Sequence, residues 1–129
     1  MPEADTLLGY GMARFSIGML VCSDLERSRD FYRDVLGLKL LADQSPHWVE
    51  FELAKGISLG LHPKTKLLAV RPGSLQLGFS VVNVDLFVAD CAAMNVPIFQ
   101  DPYDEPFGRV AIISDPDGYP IQVGTSKKQ

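Results

Sequence analysis

Apolar and polar positions change their period several times along this chain, and each change marks an element. In IGMLVCSDLERSRDFYRDVLG, from Ile17 to Gly37, an apolar stretch reads as a strand and gives way to a new spacing. Ser23, followed three residues later by Glu26, has the capping-box pattern in which side chains satisfy the free backbone donors of a helix start. Ser28, Phe31, Tyr32, Val35 and Leu36 then recur at helical spacing, and Gly37 can take the left-handed conformation that ends a helix.

Period-two alternation takes over in LKLLAD, HWVEFEL and ISLGLH, which read as three strands. Val49, Phe51 and Leu53 share one face of the second strand, and Trp48, Glu50 and Glu52 the other. In the third, Ile57, Leu59 and Leu61 oppose Ser58, Gly60 and His62, so each strand has one side for a core. HPKTKLLAVRPGS, with two prolines, a glycine and the basic residues Lys64, Lys66 and Arg71, reads as a connector. The order then repeats. LQLGFSV is a strand, and DLFVADCAAMN a helix with Leu86, Ala89 and Ala93 on one face and Asn95 as its stop. VPIFQD, GRVAIIS and YPIQV are three more strands. Between them, DPYDEPFG (residues 101–108) reads as a loop long enough to cover a cleft mouth, and DPDG (115–118) as a tight hairpin turn.

Two βαβββ units therefore follow one another at an offset of about sixty residues, marked by the helix-entry pairs Asp24-Leu25 and Asp85-Leu86. Neither has enough apolar surface to stand alone, which predicts one domain over 1–129 built from modules at about 15–62 and 75–124. Their sheets should pair or face each other across a shared cleft, the default place for a small ligand.

Composition narrows the function classes. With 47% hydrophobic and 22% charged residues the chain is a globular protein rather than a disordered one. A net charge of −4, without basic runs interleaved with aromatics, argues against nucleic acid as a partner. No apolar run approaches the roughly 20 residues that span a membrane. MPEADTLLGYG carries acids where a signal peptide carries a basic patch, so a cytoplasmic place is expected. Cys22 and Cys91 lack the spacing of a zinc pair or redox motif and read as buried free thiols.

MLVCSDLERSRDFYRDVLGLKLL, followed by a second unit ending in RVAIISDPDGYPIQV, closely resembles the vicinal oxygen chelate superfamily, over about Phe15 to Val123. That superfamily groups glyoxalase I, extradiol dioxygenases, fosfomycin-resistance enzymes and bleomycin-binding proteins. The resemblance implies an α+β fold of two βαβββ modules forming an open, U-shaped mixed-sheet half-barrel, often as a homodimer. In its enzymes inward His, Gln and Glu side chains hold a divalent metal that takes two neighbouring substrate oxygens. Set on that pattern, the four ligand positions fall at Ile17, Gly60, Gln76 and Gln122. Ile17 and Gly60 cannot bind a metal, and two neutral amides attract a hydrated divalent ion weakly, so no metal or other cofactor is expected.

The expected cleft surface includes Ile17, Met19, Trp48, Glu50, His62, Gln76 and Gln122, mixing aromatic and aliphatic area with amides and acids. Gly60 leaves room where an acid would stand. The favoured reading is a metal-free protein binding a small organic ligand, with the acidic balance suiting a cationic or polar aromatic guest. Two alternatives stay open. One is a lyase, isomerase, transferase or dioxygenase whose metal has moved to the neighbourhood of His62 and Glu50, and the other is a subunit serving assembly alone.

Overall fold

Each alternating run becomes a strand in the computed structural model, which describes residues 11–126 apart from the side chain of Ser126. The N-terminal stretch through Tyr10, on which the leader argument rests, lies outside the described residues. The first module comprises β1 (Ile17–Cys22), α1 (Leu25–Asp30) running into a π-helical turn (Phe31–Val35), β2 (Lys39–Gln44), β3 (Trp48–Ala54) and β4 (Ile57–Pro63). The second comprises β5 (Leu77–Ser80), α2 (Val84–Ala93), β6 (Ile98–Glu105), β7 (Gly108–Ser114) and β8 (Pro120–Ser126). The sheets are ordered β1-β4-β3-β2 and β5-β8-β7-β6, with β1–β4 and β5–β8 parallel and the other pairs antiparallel. This is the expected α+β pair of βαβββ units.

The alternation also says which face is buried. Leu20, Cys22, Val49, Phe51, Leu59 and Leu61 of the first sheet join Leu25, Phe31 and Tyr32 of the helical segment in the core. The Tyr32 and Phe51 rings lie 6.4 Å apart, which puts the helix on that face. Ala111, Ile113, Ile121 and Val123 do the same beneath Val84, Val88 and Cys91, and one continuous cluster spans both modules. Both cysteines are free and buried, as expected, and burial pushes the thiol of Cys22 up to about 12 and that of Cys91 up to about 11. At neutral pH they are small apolar fillers.

Four local expectations change. The cap of α1 is Asp24, whose carboxylate accepts the Arg27 N–H at 3.1 Å, because Ser23 is engaged elsewhere. The helix then widens, with the Leu36 N–H reaching the Phe31 carbonyl five residues back, before Gly37 ends it at φ 72°. In α2 the cap is Asn83, so the counterpart of Asp24-Leu25 is Asn83-Val84 rather than Asp85-Leu86. Val84, Val88 and Cys91 are buried while Leu86 is 64% exposed, since apolar residues surround this helix and spacing alone admits two faces. Asp85 is turned to Arg109 on β7 in a two-pronged pair at 2.8 and 3.0 Å. DPYDEPFG is not a lid. Its first five residues complete β6, paired as Tyr103–Val110 and Asp104–Arg109, and Pro106-Phe107 make the turn into β7.

The DPDG turn forms as expected, with Gly118 at φ 91° donating to the Asp115 carbonyl at 3.0 Å. Its aspartates do more than shape it. Asp115 Oδ1 accepts the N–H groups of Asp117 and Tyr119, both at 2.9 Å, and Oδ2 accepts the Tyr32 hydroxyl at 2.8 Å from the other module. Asp117 accepts the Ser23 N–H at 3.0 Å and the Ser23 hydroxyl. The Tyr119 hydroxyl donates to the Val21 carbonyl at 3.0 Å and accepts the Arg71 N–H at 3.1 Å. This clasp ties the turn of the second module to the β1–α1 segment of the first.

Tyr32 and Asp115 are 0% and 2% exposed. Burial raises the Asp115 carboxyl above its ordinary value, against the pull of the Tyr32 hydroxyl and the two amides. A carboxyl raised on folding holds its proton more tightly in the native state, so its contribution to stability falls as pH rises through the window above the ordinary carboxylate value. Tyr32→Phe removes a donor that favours the charged form. It should cost about 1–3 kcal/mol in urea denaturation at neutral pH, and the deficit should shrink as pH falls and Asp115 takes up its proton. An equal deficit at both pH values would contradict this account.

Candidate ligand-binding site

Because the core uses one parity of each strand, the opposite parity forms a second face on each sheet, open on the first and partly closed on the second, where Val110 and Ser114 of β7 are buried too. On the first, register places Met19 beside Gly60 and Gly60 beside Glu50 in one row. A second row holds Ile17, Ser58 and Glu52, and a third Val21 and His62. Trp48 completes the third, its ring 6.2 Å from that of His62 at an interplanar angle of 70°. His62 Nδ1 lies 2.6 Å from the Pro63 carbonyl; a carbonyl only accepts, so Nδ1 carries the proton in this contact. Five of the residues expected in the cleft, Ile17, Met19, Trp48, Glu50 and His62, therefore share one surface.

Trp48 lies across Gly60. A Cβ on residue 60 would stand 2.9 Å from Cζ3 and 3.0 Å from Cζ2 of the indole, closer than carbon atoms pack. The space expected to stand empty at position 60 is thus filled by the outer edge of this ring, with Cη2 nearest, and glycine is what lets the indole reach over this strand. Met19, 54% exposed in the next strand, extends the apolar area. Glu50 and Glu52 supply carboxylates, with Lys39 across the sheet from Glu52.

Gln122 lies on β8 of the second sheet, and Gln76 immediately precedes β5. Gln122 is registered with Gly78 and Ile112, and a cavity of about 230 Å³ is bordered by Gln76, Leu77, Gly78 and Gln122. The two glutamines adjoin one space, and no residue of the first sheet borders it. Each amide brings a donor pair and an acceptor, suited to orienting a neutral polar guest.

The donor set does not fit a metal. Ile17 and Gly60 offer no side-chain donor, and Gln76 and Gln122 offer only amide oxygens. Among the described residues, no three His, Cys, Asp or Glu side chains come together in a way that would hold an ion, and His62 with Glu50 makes no such group.

A family model of the Glyoxalase/Bleomycin resistance protein/Dioxygenase superfamily matches residues 13–123. The chain belongs to this superfamily. Solved structures of similar fold include TnmS3, an antibiotic binding protein from Streptomyces sp. CB03234, at 30% identity and TM-score 0.74, covering 90% of this chain and 98% of that one. A glyoxalase/bleomycin resistance protein from the same organism is 32% identical with TM-score 0.67, covering 87% and 100%. Lactoylglutathione lyase from Agrobacterium tumefaciens, at 21% identity and TM-score 0.70 over 88% and 94%, shares the fold. No curated protein matches the chain in sequence.

The role of the clasp residues escapes sequence reading, although a tyrosine on the buried stripe of a helix signals that its hydroxyl has a partner to find. The Trp48–Gly60 contact was equally hidden, since it joins two strands through the reach of one side chain. It makes a direct prediction. In Gly60→Ala the new methyl should push the indole off the sheet, shifting the emission of this single tryptophan to the red. The far end of the ring can swing into solvent, so the loss of stability should stay below about 1.5 kcal/mol. Unchanged emission in a folded variant would show that the ring does not rest on residue 60.

Proposed function

We propose that this superfamily member binds a small, flat organic molecule on its open sheet faces without a metal ion, as a homodimer in the cytoplasm. The observation that carries this reading is the indole of Trp48 reaching Gly60 with its outer edge, an aromatic group occupying a place where the family pattern calls for a ligand side chain. Met19 extends this apolar area, Glu50 and His62 flank it, and Gln76 and Gln122 provide hydrogen bonds from the second sheet. Binding by burial, stacking and a few oriented polar groups is what such a surface does well. The 30% identity to an antibiotic binding protein supports the same class of guest. A homodimer is supported by the four edge strands β1, β2, β5 and β6 and by large apolar side chains left on open surface, Met19, Leu41 and Phe99 among them. An enzyme with a relocated metal would need a third ligand beside His62 and Glu50, and the described residues supply none.

Elemental analysis after mild dialysis should find well under one divalent metal per chain, and light scattering on a sizing column should give a dimer. Titration with antibiotics that have planar aromatic bodies should quench Trp48 emission saturably. Competition binding to Trp48→Leu should be weaker by about tenfold, or about 1.4 kcal/mol. One retained equivalent of metal that raises the melting temperature, or an affinity indifferent to Trp48→Leu, would overturn the reading.

A further inference from the structure

A further cavity lies away from both open faces. It has a volume of about 590 Å³ and is formed by the two modules together, from α1 and its π-helical turn on one side and from the end of α2 and the DPDG turn on the other. That volume is within the range of sites for small organic molecules, roughly 300–1,000 Å³. It is bordered by neither Trp48 nor Gln122.

Two properties define what fits. Phe31, Val35, Val96 and Pro97 give the cavity an apolar lining, and Met94, 52% exposed, extends it at the lip. Carboxylates supply the charge. Asp30 and Asp34 are already paired, the first with Arg29 and Arg33 and the second with Arg33. Asp115 and Asp117 have no cationic partner among the described residues, their bonds coming from Tyr32, Ser23 and backbone amides. Arg27 is the single cation in the lining, so two uncompensated carboxylates face one guanidinium even when the paired acids are set aside. The field of Asp117 also reaches inward, where it helps to raise both the Cys22 thiol and the Asp115 carboxyl. An anion entering here meets net repulsion, whereas an organic cation meets attraction at Asp117 and an apolar surface for its body.

We propose that this inter-module cavity is a second binding site, separate from the open faces, for an organic monocation with an apolar aromatic body, of the arylalkylamine class. A guest there touches the π-helical turn of one module and the clasping turn of the other, so its binding stabilises the joined arrangement of the two.

The test is amide-shift titration of the full chain by two-dimensional NMR with three probes that share an indol-3-ylethyl body: cationic tryptamine, neutral tryptophol and anionic indole-3-propionate. Tryptamine should shift the amides of Val35, Asn95, Val96 and Gly118 saturably, with indole-3-propionate weaker at those sites by about tenfold, about 1.4 kcal/mol. Asp117→Asn should weaken tryptamine several-fold and leave tryptophol unchanged. Because that substitution also touches the clasp, Val35→Phe serves as the second variant; it fills the cavity and should abolish these shifts for all three probes while the Trp48 indole resonance stays in place. Equal affinity for cation and anion at the four amides, or no saturable shift there, would overturn the proposal without bearing on binding at the open faces; saturable shifts confined to Trp48, Gly60 and Gln122 would overturn it and place these probes on the open faces instead.

Discussion

A hydrogen bond between two side chains withdrawn from water, from the Tyr32 hydroxyl to the Asp115 carboxylate, sits where the modules meet, and the arrangement of the two sheets depends on it. No hydrogen-bonded ladder joins the sheets among the described residues, so continuity across the junction rests on side chains and on the shared core. Such a bond is modest when made and expensive when one partner is missing. It therefore acts less as glue than as a constraint on which relative positions of the modules are tolerable. Ser23 with Asp117, and Tyr119 with Val21, set the same position from either side. Both aspartates of DPDG face the same requirement: the turn must close, and its carboxylates must find donors in the other module.

The constraint explains how labour divides across each sheet. Residues of one parity pack under the helices into the common cluster, and on the first sheet those of the other parity remain available for ligands, whereas on β7 Val110 and Ser114 of that parity are buried as well. Trp48 is the instructive case, because a large aromatic on an open face is expected either to be covered by a partner or to serve as one surface of a site. Glycine at position 60 leaves no side chain there and admits the edge of an aromatic ring, so a position suited to a point ligand is taken by apolar surface. Gln76 and Gln122 complement it with directional but uncharged groups.

Much of the fold was legible because strand alternation and helix spacing are local properties. Val49, Phe51, Leu59 and Leu61 were assigned to the buried side from period alone and lie there, and both βαβββ units occur in the expected order. What was not legible depends on contacts distant in sequence. Ser23 has the residue type and spacing of a cap, yet Asp117, 94 residues away, takes its hydroxyl and leaves capping to Asp24. Leu86 and Val88 are equally apolar, and only the sheet beneath α2 decides which is covered. Residues 101–105 have a loop's composition, with proline and acids, but Arg109 opposite Asp104 draws them into β6. At the candidate site the residue types were readable, whereas the contact of Trp48 with Gly60 and the separation of the glutamines onto the other sheet are facts of assembly.

The separation of parities has a consequence for how such a protein can change. In the first sheet the strand residues of the common core all belong to one alternation class, so a substitution confined to the other class alters the recognition surface while leaving the buried side chains untouched. Residues 17, 19 and 21, with 58 and 62 beside them, form a set of nearly independent variables in this sense. Gly60 is the exception, because it is coupled to Trp48. A lineage or a library could therefore explore new guests by drifting at every second position of these strands, and would meet its first hard epistatic barrier at the tryptophan–glycine pair.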